Sequence, residues 1–104
     1  MTLTNMQKRF EHVALIRGGA VFLLSAADAL RLVAECERNG VDILGVDGFK
    51  VFGEKIQPFQ EHSFDLHGNK GNTHAITRQF LLERINADIW FEVGTAEENP
   101  GVGQ

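Results

Sequence analysis

The segment from Ser25 to Gly40 constrains this chain more than any other. It opens Ser25-Ala-Ala-Asp28 and closes Asn39-Gly40. A serine hydroxyl at a helix start accepts an orphan backbone N–H, and an acid in the first turn complements the positive helix end. A glycine past the last turn takes the left-handed conformation that stops a helix. Between these signals Ala26, Ala29, Leu30, Val33 and Cys36 make one apolar stripe, with Asp28, Arg31, Glu35 and Arg38 opposite. Arg31 and Glu35, four residues apart, are expected to pair weakly. Apolar runs flank the helix, Ala20–Leu24 before it and Val41–Val46 after it. Val and Phe suit the first to a strand, and the second reads as a buried strand.

The rest of the chain supplies more strands and a second helix. Met6, Phe10 and Val13 sit at helical spacing, so residues 1–11 read as an N-terminal extension able to form a short helix. Residues 13–17 fit a strand or a helix equally. In the first case Gly18-Gly19 makes a hairpin with 20–24; in the second Gly18 ends the helix. Asp47-Gly48 marks a turn or bulge. Phe49–Phe52 and Lys55–Gln57 around Gly53-Glu54 read as a hairpin, ended by Pro58 or made an edge by it. Residues 59–72 look loop-like, with a short strand around Ser63–Leu66. Asn72 is expected to cap a helix over 73–86, with Ile76, Phe80, Leu81 and Ile85 on its face. Asp88–Val93 alternates as a half-buried strand, Ile89, Phe91 and Val93 on one side, Trp90 and Glu92 on the other. Residues 95–104 lack an apolar pattern and are expected to form a mobile tail. The order predicts a single α+β (two-layer α/β) domain over 1–104: a mixed or antiparallel sheet of about four strands with two helices on one face.

Bulk properties narrow the chemistry. At 104 residues, 43% hydrophobic and 23% charged, the chain suits one core without a deep cofactor cleft. Fourteen acids against ten bases give a net charge of −4. That disfavours direct nucleic-acid binding and suits a basic partner. Cys36 is the only cysteine, so an intrachain disulfide and a cysteine-cage zinc site are both excluded. The run from Val13 to Leu24 is broken by Arg17, Gly18 and Gly19, which fits neither a signal peptide nor a membrane span. A cytoplasmic protein without membrane contact is expected.

Catalytic signals are weak. His62, Asp65, His67 and His74 fall close together, enough for an open metal site of a small hydrolase, but in no compact ligand motif. Glu54, Glu61 and Asp65 offer a general acid and base only if something buries them. Cys36 lies on an apolar stripe, where a thiol is inert. Gly45-Val-Asp-Gly48 lacks a phosphate-loop pattern, and Asp47 reads as a cap at a sheet end. Trp90, on the strand face away from Ile89, Phe91 and Val93, is an anchor for a partner unless the N-terminal segment covers it. No catalytic residue, metal or cofactor is assigned. A third reading is an oligomeric adaptor or structural protein that associates through Trp90 and edge strands.

The stretch Ser25-Ala-Ala-Asp-Ala-Leu…Glu37-Arg-Asn-Gly40-Val-Asp-Ile-Leu-Gly-Val-Asp-Gly48 resembles the immunity proteins of the anticodon-cleaving, tRNase E-group colicins. The shared layout is a short strand ending in Ser, a helix ending at Gly, and an Ile-Leu-Gly-Ile-Asp-Gly-like segment, here Ile43–Gly48. Asn72-Thr-His-Ala-Ile76 is similar to the opening of that family's second helix, and Ala87–Val93 to its final strand. The resemblance covers about residues 22 to 93 with gaps. About twenty residues in front, the tail, and the stretch from Phe49 to Asn72 depart from it. It implies a stoichiometric inhibitor that binds the basic nuclease domain of a toxin and fills its RNA groove with acidic and aromatic groups. The divergent middle region then points to Asp47, Phe49, Glu54, Glu61 and Asp65 as contact residues, with Trp90 beside them.

Overall fold

The computed structural model describes residues 3–17, 21–66 and 71–96. Gly18, Gly19, His67 and residues 97–104 lie outside them, while Thr95, expected in the mobile tail, is the buried end of the last strand. The described elements are α1 (Asn5–Lys8), a 3₁₀ turn (Glu11–Val13), β1 (Leu15–Arg17), β2 (Val21–Leu23), α2 (Ala26–Arg38), β3 (Ile43–Phe52), β4 (Lys55–Asp65), α3 (Thr73–Leu82) and β5 (Trp90–Thr95). This is an α+β fold.

The ends of α2 form as the sequence predicts. Ser25 Oγ accepts the Asp28 N–H at 3.2 Å. Gly40 takes φ +69°. Val41 N–H reaches the Cys36 carbonyl at 2.8 Å and Gly40 N–H the Glu37 carbonyl at 3.3 Å. These two bonds satisfy carbonyls that a helix end leaves open. Ala26, Ala29, Leu32, Val33 and Cys36 are buried. The expected Arg31–Glu35 pair is absent. Arg31 pairs with Asp28 at 2.5 Å, while Glu35 takes Arg38 at 2.6 Å together with Arg9 from the N-terminal segment. Exposed pairs of this kind contribute little, about 0–1 kcal/mol each.

Among the described residues all strand pairing is antiparallel. β1 and β2 form a hairpin, with Ile16 opposite Phe22, which settles 15–17 as strand. β4, β3 and β5 form a second sheet in that order. An isolated bridge between Leu24 and Phe91 joins the two. The expected separate strands at 41–46 and 49–52 are one continuous β3, because β5 pairs across Asp47 and Gly48 without a break. The expected short strand around 63–66 is the end of β4, but the loop expected before it, over 59–62, is overturned: β4 runs from Lys55 to Asp65. Its sequence looks loop-like because it is an edge strand carrying Pro58 and exposed polar groups.

Helices α2 and α3 cover one face of the three-stranded sheet. Phe91, Val93 and Val46 point into this core. Phe80 of α3 packs against Phe64 and Phe91, with ring centroids 4.5 and 6.2 Å away. The helix is shorter than expected, ending at Leu82, and Asn72 makes no side-chain cap bond. Its buried face is also different. Thr73, Thr77 and Leu81 are buried, while Ile76 and Ile85 are exposed. Hydroxyl bonding explains the exchange. Thr73 Oγ1 accepts the buried Ile43 N–H at 3.2 Å, and Thr77 Oγ1 donates to the Thr73 carbonyl at 2.7 Å. Leu3 and Met6 of the N-terminal segment also enter the core.

Candidate functional site

The face of the three-stranded sheet turned away from the helices follows from register. Val46 pairs with Val93 and Gly48 with Phe91, and these point to the core. The intervening pairs, Asp47 with Glu92 and Phe49 with Trp90, therefore share the outer face. Pro58 opposite Phe49 and Ile56 opposite Val51 extend that face along the hairpin. The outer face thus carries an acidic pair followed by an apolar stripe of half-buried Trp90, Phe49, Val51 and Ile56.

A bulge in β4 shapes one side of this face. Val46 pairs with Phe64, but Gly48 pairs with Phe59, so residues 60–63 are looped out. Ser63 clamps the loop, accepting the Gly48 N–H at 3.0 Å and donating to the Phe59 carbonyl at 2.7 Å. Arg84 braces it from the helix layer. Its guanidinium lies 3.7 Å from the Phe80 ring centroid, its Nε–H donates to His62 Nδ1 at 3.1 Å, and Nη2 donates to the Glu61 carbonyl at 3.2 Å. Gly48 is required here: a Cβ at this position would lie 2.5 Å from the His62 carbonyl oxygen.

Beside the bulge runs a groove of about 510 Å³. Asp47, Asp65 and Glu92 line it, together with Gln7, Gln60 and Ser63. Burial raises the Glu92 carboxyl above its ordinary value, the Phe22 N–H on its Oε2 at 3.3 Å works the other way, and the Asp47 charge adds to the rise. Like charges directly opposite across two strands repel. Among the described residues neither Asp47 nor Glu92 has a salt-bridge partner. The site is therefore an anionic concavity beside a half-buried apolar stripe, suited to a cationic group flanked by apolar surface.

The expected contact residues divide. Asp47 and Asp65 line the groove, and Phe49 and Trp90 form the adjacent pair on the outer face. Asp47 is not a cap at a sheet end, as the sequence suggested, but an exposed mid-strand residue. Glu54 sits in the β3–β4 turn, at the end of the stripe away from the groove, and does not line it. Glu61 is exposed on the bulge and does not line the groove. Glu92 and Gln7 were missed. Alternation already placed Glu92 beside Trp90, whereas nothing in the sequence places Gln7 there.

The histidines are engaged separately. His62 accepts from Arg84, and His74 Nε2 bonds the Val41 carbonyl at 2.7 Å. Among the described residues no three His, Cys, Asp or Glu side chains come together as a metal-holding group. Cys36 is buried. No described helix is long and apolar enough to cross a membrane. A scan of protein-family models and a search of curated proteins find no match for this chain.

Proposed function

We propose that this chain is an immunity-type inhibitor, a cytoplasmic binding protein that blocks the active groove of a cognate ribonuclease toxin. The observation that carries this reading is the outer sheet face, where Asp47, Asp65 and Glu92 line a groove next to the Phe49–Trp90 pair. A nuclease groove is built to hold phosphates with Lys and Arg, and carboxylates satisfy the same groups. Half-buried aromatics beside the charges supply the apolar anchor that tight interfaces use. The segment Ile43–Gly48, which resembles the colicin immunity proteins, is the part of β3 that carries Asp47. The reading needs no catalytic group, metal or cofactor.

Co-expression with the C-terminal domain encoded by the neighbouring gene tests it. Rescue of growth and a co-purifying complex are expected. The double substitution Asp47→Lys with Asp65→Lys should then weaken binding by roughly a hundredfold or more and flatten its salt dependence, since close interfacial charge pairs couple by about 1.5–7 kcal/mol. Glu54→Lys, away from the groove, should weaken it far less. A complex indifferent to the double substitution places the interface elsewhere, and a harmless neighbour that does not bind removes the reading.

A further inference from the structure

β5 has two edges, and among the described residues one of them is filled by a strand along its length. On the far edge Leu24 and Phe91 exchange both backbone hydrogen bonds, each 2.8 Å. In an antiparallel ladder the next pair to do so would be Phe22 with Val93. Side chains take those places instead. Phe22 N–H goes to Glu92 Oε2 at 3.3 Å, and the Val93 carbonyl accepts Gln7 Nε2–H at 3.3 Å. Further along, the Thr95 hydroxyl donates to Thr4 Oγ1 at 3.0 Å. β2 therefore departs from β5 after one bridge, and the segment around α1 lies against the edge it leaves.

This segment is built to be held from outside. A four-residue helix has no stability of its own, since nucleation costs more than so few bonds return. Its capping box is local: Thr4 Oγ1 accepts the Gln7 N–H and Gln7 Oε1 accepts the Thr4 N–H. Attachment to the body comes from buried Leu3 and Met6, the Gln7 and Thr4 bonds to β5, and the exposed Arg9–Glu35 pair. Gln7 also lines the acidic groove, beside Val93, whose carbonyl it bonds. One side chain thus fastens the segment and lines the groove.

We propose that residues 4–9 are a strap that gates this groove. Closed, the strap lines the groove through Gln7 and covers the β5 edge. Released as a unit, it lengthens the groove along Val93 to Thr95 while the three-stranded sheet stays folded. Short segments with few buried contacts open at lower free energy than core ladders, in cooperative units. The inference stands whether or not the occupant of the groove is a nuclease.

Native-state hydrogen exchange on the full chain tests it. The Lys8 and Phe10 amides, bonded to the Thr4 and Gln7 carbonyls, should exchange together and at least a hundredfold faster than the amides of the β3–β5 ladder. Gln7→Leu removes two hydrogen bonds and should speed the Lys8 and Phe10 amides about tenfold more, with the ladder unchanged. In a Leu44→Cys background the same Gln7→Leu change should raise thiol labelling in the groove by a similar factor. An oxidised Thr4→Cys/Thr95→Cys pair, at positions whose hydroxyls already touch, should slow the strap amides to the ladder rate. Strap and ladder amides exchanging at one rate in the unaltered chain would overturn the proposal. So would labelling at position 44 that ignores Gln7→Leu.

Discussion

Two glycines in neighbouring strands should respond to alanine in opposite ways. A Cβ on Gly48 would meet the His62 carbonyl oxygen at 2.5 Å and His62 Cβ at 2.6 Å. Ordinary contact needs roughly an ångström more. Neither obstacle is a flexible side-chain end, so the β4 bulge itself must move. That bulge is held by Ser63 on the Gly48 N–H and by Arg84 on the Glu61 carbonyl. Overpacking of a rigid site costs about 1–3 kcal/mol, and loss of the Ser63 bond adds about 1 kcal/mol. Gly48→Ala should therefore cost about 2–4 kcal/mol. For a domain of 104 residues this lowers Tm by roughly 10–20 °C. A Cβ on Gly94 meets only Leu44 Cβ at 3.6 Å and Gly45 backbone atoms at 3.8 Å or more. Gly94→Ala should fall within about 0.5 kcal/mol of neutral, because it also stiffens the unfolded chain. Urea and thermal unfolding of both variants decide the matter. Equal stabilities for the two would refute the claim that the bulge presses on Gly48, and with it the account of how the groove wall is held.

Two further outcomes follow from the same interactions. The Glu92 carboxyl is raised in the folded protein by burial first and then by the Asp47 charge, so the native state holds its proton more tightly than the unfolded chain does. Stability from this group is thus greatest in acid, falls as pH climbs from the unfolded carboxylate range through the raised folded value, and is flat above it. Glu92→Gln keeps a carbonyl for the Phe22 N–H and removes the charge, so its advantage over the parent should be absent near pH 3, appear as pH rises and persist at pH 7; a constant difference across that range contradicts the assignment. Thr73→Val leaves the buried Ile43 N–H without its hydroxyl acceptor and should cost about 1–3 kcal/mol. Thr77→Val removes only a donor to a helix carbonyl and should cost clearly less, so equal losses in chemical denaturation would count against the role given to Thr73.

What the sequence alone determined was local. The Ser25 cap, the Asn39-Gly40 stop and the apolar stripe between them made α2 legible, since each acts within a few residues. Alternation placed Phe91 and Val93 inward and Trp90 outward with no knowledge of the partner strand. The Gly53-Glu54 turn of the β3–β4 hairpin was legible for the same reason. Tertiary structure decided the rest. β4 reads as a loop because its pairing is made by backbone groups, while many of its side chains, Gln57, Pro58, Gln60 and Glu61 among them, are exposed around a bulge. Thr73 and Thr77 displace Ile76 from the buried face because their hydroxyls answer particular N–H and carbonyl groups, a match that hydrophobic pattern cannot register. The groove needs Asp47, Asp65, Glu92 and Gln7 from four separate elements. Register brings the first three to one place. Only the departure of β2 from β5, which opens an edge for the N-terminal segment to cover, adds the fourth.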